Sequence, residues 1–283
     1  MLRLSAQPAH AHASVIPGVR SDRAAAQLPP EARGAAVRID YDDPATLTRA
    51  FAGASAVVHL AGTLIERPGS TYALANVQTT RAVADAAGAN GVAKLVFVSV
   101  IGADPASRNP YWRTKGEAEG LVRRARCAHT ILRVPLLLGP GTEGTRALQR
   151  HWSHATVVLP GGGRNLQQPL HVDDLAHAAI VASAPAIASN QTLELVGPEP
   201  LPDRDLVTRG ARMLGHEVQI RSTPVALLRL GLVVRGLFAT SGFTAAVLDV
   251  ITADTSVDPT PAAAALGMPL TGLDDMIKQS LGQ

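Results

Sequence analysis

Tyr111 and Lys115 stand four residues apart in the run Tyr111-Trp112-Arg113-Thr114-Lys115. They follow an apolar stretch, 94–99, that reads as a buried strand ending in Ser99. Residues spaced by four share one face of a helix. There an ammonium favours a phenolate and draws a phenol pKa of about 10 toward neutrality. Such a pair can pass a proton to or from a carbonyl oxygen. The chain holds three Tyr and three Lys in 283 residues, so chance supplies only about 0.03 such pairs.

The elements that must position this pair are legible from hydrophobic patterning. Residues 14–19, 35–39, 56–60, 94–99, 129–134 and 193–196 read as short strands, several of them apolar throughout. That is the pattern of strands buried on both faces. Segments 76–89 and 115–126 between them are long enough for crossover helices. This alternation predicts an α/β fold with a Rossmann-type doubly wound parallel sheet, its ligands at the carboxyl ends of the strands.

Composition narrows the function classes. A chain of 283 residues fits one or two domains with a sizeable core. The formal charge is only +3, with no lysine-rich run or basic–aromatic interleaving, so nucleic-acid binding is not expected. A lone Cys127 allows no internal disulfide and suits a reducing, cytoplasmic setting. Residues 1–13 lack the apolar run of a secretory signal. No metal-ligand spacing is present, and Asp173-Asp174 read as the cap of a helix starting at Leu175. Residues 225–251 are strongly apolar but broken by Arg229, Arg235 and Asp249, with no uncharged run of spanning length. They read as a packed helical pair, with an interfacial helix on a membrane surface as the alternative.

Several further motifs follow one another along the chain. They are Val57-Val-His-Leu-Ala-Gly62, Val98-Ser-Val-Ile-Gly102, Tyr111-x-x-x-Lys115, Ile131-Leu-Arg-Val-Pro135, Gly139-Pro-Gly141, the stretch from Gln168 to Ala176, and Gly197-Pro-Glu-Pro200. In this order they resemble the extended and atypical short-chain dehydrogenase/reductases, within the NAD-dependent epimerase/dehydratase family. The resemblance is nearest to the nucleotide-binding accessory subunit of respiratory complex I and to NmrA-like proteins. It implies that Tyr111 is the general acid/base and that Lys115 depresses its pKa and holds the nicotinamide ribose. Ser99 would hydrogen-bond the substrate oxygen, or else cap the following turn. Leu60, Ala61, Gly62, Val98 and Pro135 would line the cofactor, and Asp40 would contact the adenine or simply close a turn.

The same resemblance locates the cofactor choice at the end of the strand 14–19. Arg20 and Arg23 favour NADP, because guanidinium pairs with a 2′-phosphate, while Asp22 speaks for NAD. One departure stands out. Such proteins open with a strand and a glycine-rich turn that receives the pyrophosphate, whereas residues 1–13 contain no glycine. Residues 2–12 read as the tail of the first helix, which makes the first strand of the sheet missing. Either the chain is truncated at its N-terminus or the phosphate cradle has been lost. Gly161-Gly-Gly-Arg164 offers a substitute cradle but reads as a turn between strands.

The expected organisation is an NAD(P)-binding domain, 1–140 plus 167–196, and a small substrate domain, 141–166 plus 197–283. A small-molecule substrate would lie between them near Tyr111, Pro135, Leu136 and Gln168, and the apolar lining suggests a weakly polar carbonyl or alcohol. Segments 76–89 and 115–126 are candidates for a homodimer contact, by analogy of fold. Two function classes follow: an NAD(P)-dependent oxidoreductase or epimerase/dehydratase, or a non-catalytic NAD(P)H-binding or redox-sensing protein, including one associated with the respiratory chain.

Overall fold

A computed structural model describes residues 14–236 and 242–282. The first part of the chain runs β1 (Gly18–Val19), α1 (Asp22–Ala26), α2 (Pro30–Arg33), β2 (Val37–Arg38), α3 (Pro44–Phe51) and β3 (Ala56–His59). A π-helical turn (Ala73–Gln78) then leads into α4 (Thr79–Ala89), β4 (Lys94–Val100), α5 (Pro110–Arg123) and β5 (Ala128–Val134). Next come β6 (Leu137–Leu138), α6 (Glu143–Trp152), β7 (Thr156–Pro160), β8 (Leu166–Gln167), β9 (Leu170–His171), α7 (Val172–Ala182) and β10 (Gln191–Glu194). The remainder is β11 (Leu201–Pro202), α8 (Asp203–Met213), β12 (Gln219–Thr223), α9 (Val225–Gly236), α10 (Ala245–Ile251), α11 (Thr260–Leu266) and α12 (Leu273–Leu281).

The apolar strands form a parallel sheet in the order β10-β5-β4-β3. Alternation along β4 and β5 sends Leu95, Phe97 and Ile131 into a core with Val83, Ala118 and Val122 of α4 and α5. Val96, Leu132 and Val134 face the opposite way, onto Leu175, Ala178 and Ala179 of α7 and Leu266 of α11. Both faces are therefore covered by helices, the Rossmann-type arrangement the patterning predicts. The last strand pairs with Thr130 to Arg133 through Gln191 to Glu194, a few residues earlier than its apolar run suggests.

β1 and β2 make a separate parallel pair, and each is only two residues long. Ile39, just beyond β2, packs on Leu47 of α3 and Ala86 of α4, which attaches the pair to the body. No described strand joins this pair to β3. The segment 2–12, expected to end a first helix, lies outside the described residues.

A second core gathers Leu138, Leu148, Trp152, Leu159, Leu206, Met276 and Ile277, bringing residues before β8 together with the C-terminal helix. Ala262 and Leu266 of α11 pack on the core of the sheet. Gly161, Gly162 and Gly163 all have positive φ, at 58°, 71° and 62°. Their amides donate to the Thr223, Leu159 and Pro160 carbonyls, so the three glycines close a turn with their N–H groups already engaged. Helix α7 begins at Val172, capped by His171 Nδ1, which accepts from the Asp173 amide. The expected cap, Asp174, instead accepts from the Thr271 amide and hydroxyl, both at 2.8 Å.

Candidate active site

α5 starts at Asn109, whose Oδ1 accepts the Tyr111 N–H at 3.0 Å, with Pro110 in the first turn. This start sets Tyr111 and Lys115 one turn apart, 8 % and 4 % exposed. Lys115 Nζ donates to the Val98 carbonyl at 2.8 Å and lies 4.3 Å from the Phe97 ring centroid. Burial pulls its pKa down to about 8, with Glu119 opposing. The Tyr111 ring lies 5.9 Å from that of Tyr72, tilted by 53°. Burial first, and then Tyr72, raise the Tyr111 phenol pKa. The shift runs opposite to the expected depression: burial and Tyr72 set it, and the Lys115 ammonium is directed at the Val98 carbonyl.

Glycine at 62 serves a close approach. A Cβ there would stand 3.0 Å from Asn76 Oδ1 and 3.6 Å from Lys115 Nζ. Asn76 is fully buried, accepts the Thr63 N–H at 2.9 Å and donates to Thr114 Oγ1 at 3.1 Å. It therefore ties the loop after β3 to the helix that carries Tyr111 and Lys115. Tyr72 holds the same loop, donating from its hydroxyl to the Leu64 carbonyl at 2.8 Å. Sequence reasoning passed over both residues. The signal available for Asn76 was a polar side chain within the apolar run 73–77.

Ser99 is not presented to this site. Its hydroxyl donates to Glu119 Oε1 at 2.7 Å, inside a buried cluster. Glu119 also accepts from Arg133 Nε at 2.9 Å and from Arg133 Nη2 and Arg123 Nη2, each at 2.8 Å. The reason is strand alternation: Ser99 shares the α5-facing side of β4 with Leu95 and Phe97, and Glu119 lies one turn beyond Lys115.

A row of rings links the tips of the first strands to Lys115. The Arg20 guanidinium lies 5.9 Å from the Tyr41 centroid, Tyr41 is 6.3 Å from His59, and His59 stacks on Phe97 at 5.4 Å. Thr80 gives its one hydroxyl proton to the Asn76 carbonyl at 2.6 Å, so its oxygen accepts from His59 Nε2 at 3.0 Å. Burial, reinforced by Lys115, drops the His59 pKa to about 3, and the ring is neutral at ordinary pH.

The remaining candidates divide. Arg20 and Arg23 are exposed beyond β1, and Asp22 is paired with Arg38 at 3.0 Å, a further arginine that the sequence reading did not weigh. Leu60 is half exposed at the end of β3, followed by Ala61. Asp40 closes a turn, its Oδ1 accepting the Asp42 amide at 3.0 Å. Pro135 follows β5 and is half-buried. Leu136 packs against the second core. Gln168 is fully buried, donates to the Gly197 carbonyl at 2.6 Å and accepts the Val257 amide at 2.8 Å. It ties two chain segments together.

A family described as NAD(P)H-binding matches residues 3–158. The chain belongs to this family, of the NmrA-like, epimerase/dehydratase type. Among curated relatives, it is 32% identical over 143 residues to a ceramide reductase of Caulobacter vibrioides, across 50% of this chain and 44% of that protein. It is 30% identical over 178 residues to the mitochondrial NADH dehydrogenase [ubiquinone] 1 alpha subcomplex subunit 9 of Arabidopsis thaliana, across 60% of this chain and 43% of that protein. The chain thus spans less than half the length of these relatives. A solved structure of the Citrobacter sp. triphenylmethane reductase complexed with NADP(H) superposes with a TM-score of 0.69 at 24% identity, covering 93% of this chain and 89% of that one. At that identity the likeness is one of fold.

The space a Cβ would need at Gly62 is taken by the side chains of Asn76 and Lys115. Among the described residues, no glycine-rich turn lies beside β1 or β3 to receive a pyrophosphate.

Proposed function

We propose that this chain is an NAD(P)H-dependent reductase of a small, weakly polar carbonyl compound, with Tyr111 as the proton donor. The observation that carries the reading is the buried Tyr111–Lys115 pair, one turn apart on α5, with Lys115 beside Val98 and Gly62. Reduction needs a protonated phenol, and burial holds Tyr111 in that form. Tyr111 would donate its proton to the carbonyl oxygen. Lys115, mostly ammonium at neutral pH with a pKa of about 8, would offset the charge left on the phenol oxygen. A bound reduced nicotinamide would supply the hydride. Asn76 and Tyr72 would hold the loop after β3 at the distance this requires.

Arg20, Arg23 and Arg38 support NADP over NAD, since Asp22 is occupied by Arg38. Replacing Arg20 by alanine should then weaken NADPH binding about tenfold and leave NADH unchanged, read from reduced-nicotinamide fluorescence. Turnover of NADPH with quinones and apolar ketones tests the mechanism. Tyr111→Phe should lower it by about 10²- to 10⁴-fold. Retention of near wild-type turnover would refute the assignment.

A second reading is a non-catalytic NAD(P)H-binding or redox-sensing protein. The placement of Lys115 favours it, because the ammonium donates to the Val98 carbonyl at 2.8 Å. NADPH binding without turnover of any carbonyl substrate, unaffected by Tyr111→Phe, would select it.

A further inference from the structure

We infer that α9 docks the protein on an anionic membrane surface. α9 is twelve residues long and packs against α10. Its half-buried positions are Val225, Leu228 and Leu232. Apart from Arg229, its exposed positions from 226 to 234 are Ala226, Leu227, Leu230, Gly231, Val233 and Val234. Leu227, Leu230, Val233 and Val234 are 62%, 61%, 53% and 50% exposed. At 100° per residue these six positions form one continuous outward face without a polar side chain. A helix facing water carries its polar residues outward, and a contiguous apolar patch of this kind marks a contact surface. Phe243 and Ile251, 40% and 39% exposed at either end of α10, add to the apolar surface of the pair.

Length and charge select the occupant. Twelve residues rise about 18 Å, too short for a hydrocarbon core of about 30 Å, so α9 would lie along a membrane. No helix among the described residues is long and apolar enough to cross one. Residues 218–248 carry no Asp or Glu and three arginines, 221, 229 and 235. Arg221 is exposed on β12 just before α9, and Arg229 sits at the border of the apolar face with its side chain 58% exposed. An apolar helix face edged by arginine matches an anionic headgroup layer. A second copy of this face would set arginine against arginine, while Asp249 is already engaged, 3.4 Å from Arg229. Docking would also bring the bilayer near Tyr111, because Asn109 at the head of α5 donates to the Ala246 carbonyl of α10 at 2.9 Å. The inference uses neither Tyr111 nor Lys115 and stands apart from the reductase reading.

Flotation of the whole chain with lipid vesicles tests it. Vesicles of phosphatidylcholine mixed equally with phosphatidylglycerol should carry at least about tenfold more protein than pure phosphatidylcholine. The variant Leu227→Gln/Leu230→Gln should lose that binding by about tenfold or more, with wild-type circular dichroism and thermal midpoint, since both side chains face outward. Absence of flotation by the folded wild type, or flotation by the variant at the wild-type level, would overturn the inference. So would a wild-type dimer on size exclusion that the variant converts to monomer, because the face would then belong to a second copy.

Discussion

Replacing Glu119 by alanine removes the carboxylate that anchors the Tyr111–Lys115 helix to β4 and β5. Four donated hydrogen bonds end on it, from Ser99, twice from Arg133 and from Arg123. Arg123 is 44% exposed and would return to water at small cost, whereas Arg133 is only 21% exposed. Stranding a buried partner of this kind costs about 3–5 kcal/mol. Arg133 keeps the Ala103 carbonyl at 2.8 Å and Glu194 at 3.6 Å, which favours the lower end, about 3 kcal/mol. With an unfolding entropy of about 2.1 cal/mol/K per residue, the 283-residue chain should lose about 5 °C of thermal midpoint. Circular dichroism melts at neutral pH measure it. The double variant Glu119→Leu/Arg133→Met, which removes both charges and keeps volume, should recover most of the loss. A single-variant shift below about 1 °C, or a double variant no more stable than the single one, would refute this account.

Three further outcomes follow from the site. Lys115 has a folded pKa near 8 against 10.5 in the free side chain, so the unfolded chain binds more protons between those values and this residue's contribution to stability rises with pH across that window. Lys115→Met should raise the thermal midpoint at neutral pH, by a margin that shrinks toward pH 10.5, and should abolish carbonyl-dependent NADPH oxidation. His59, neutral when buried with a pKa near 3, costs stability as pH falls from 6.5 toward 3, and His59→Gln should flatten the denaturant-midpoint profile by up to about 1.4 kcal/mol per pH unit. Gly116→Ala would place a Cβ 2.3 Å from the Pro105 nitrogen and 2.5 Å from the Asp104 carbonyl carbon. It should cost about 1–3 kcal/mol in urea melts and lower turnover by displacing α5.

What the sequence determined by itself was whatever depends on short-range geometry. Four-residue spacing sets Tyr111 and Lys115 on one helical face, and a run such as Leu95-Val96-Phe97-Val98 reads as a strand covered on both sides. Strand–helix alternation then predicts that β3, β4, β5 and β10 run parallel, as they do. The family motifs extended this to the loop at Gly62. Tertiary structure decided which way each side chain was committed. Ser99 and Gln168 have the right chemistry for a ligand, but Glu119 on a later helix claims the first and backbone groups at Gly197 and Val257 claim the second. The direction of the Tyr111 shift was likewise beyond the sequence, since it depends on burial and on the ring of Tyr72, brought in from a separate loop. Hydrogen bonds and desolvation act over a few ångströms in space, between residues that spacing along the chain does not relate.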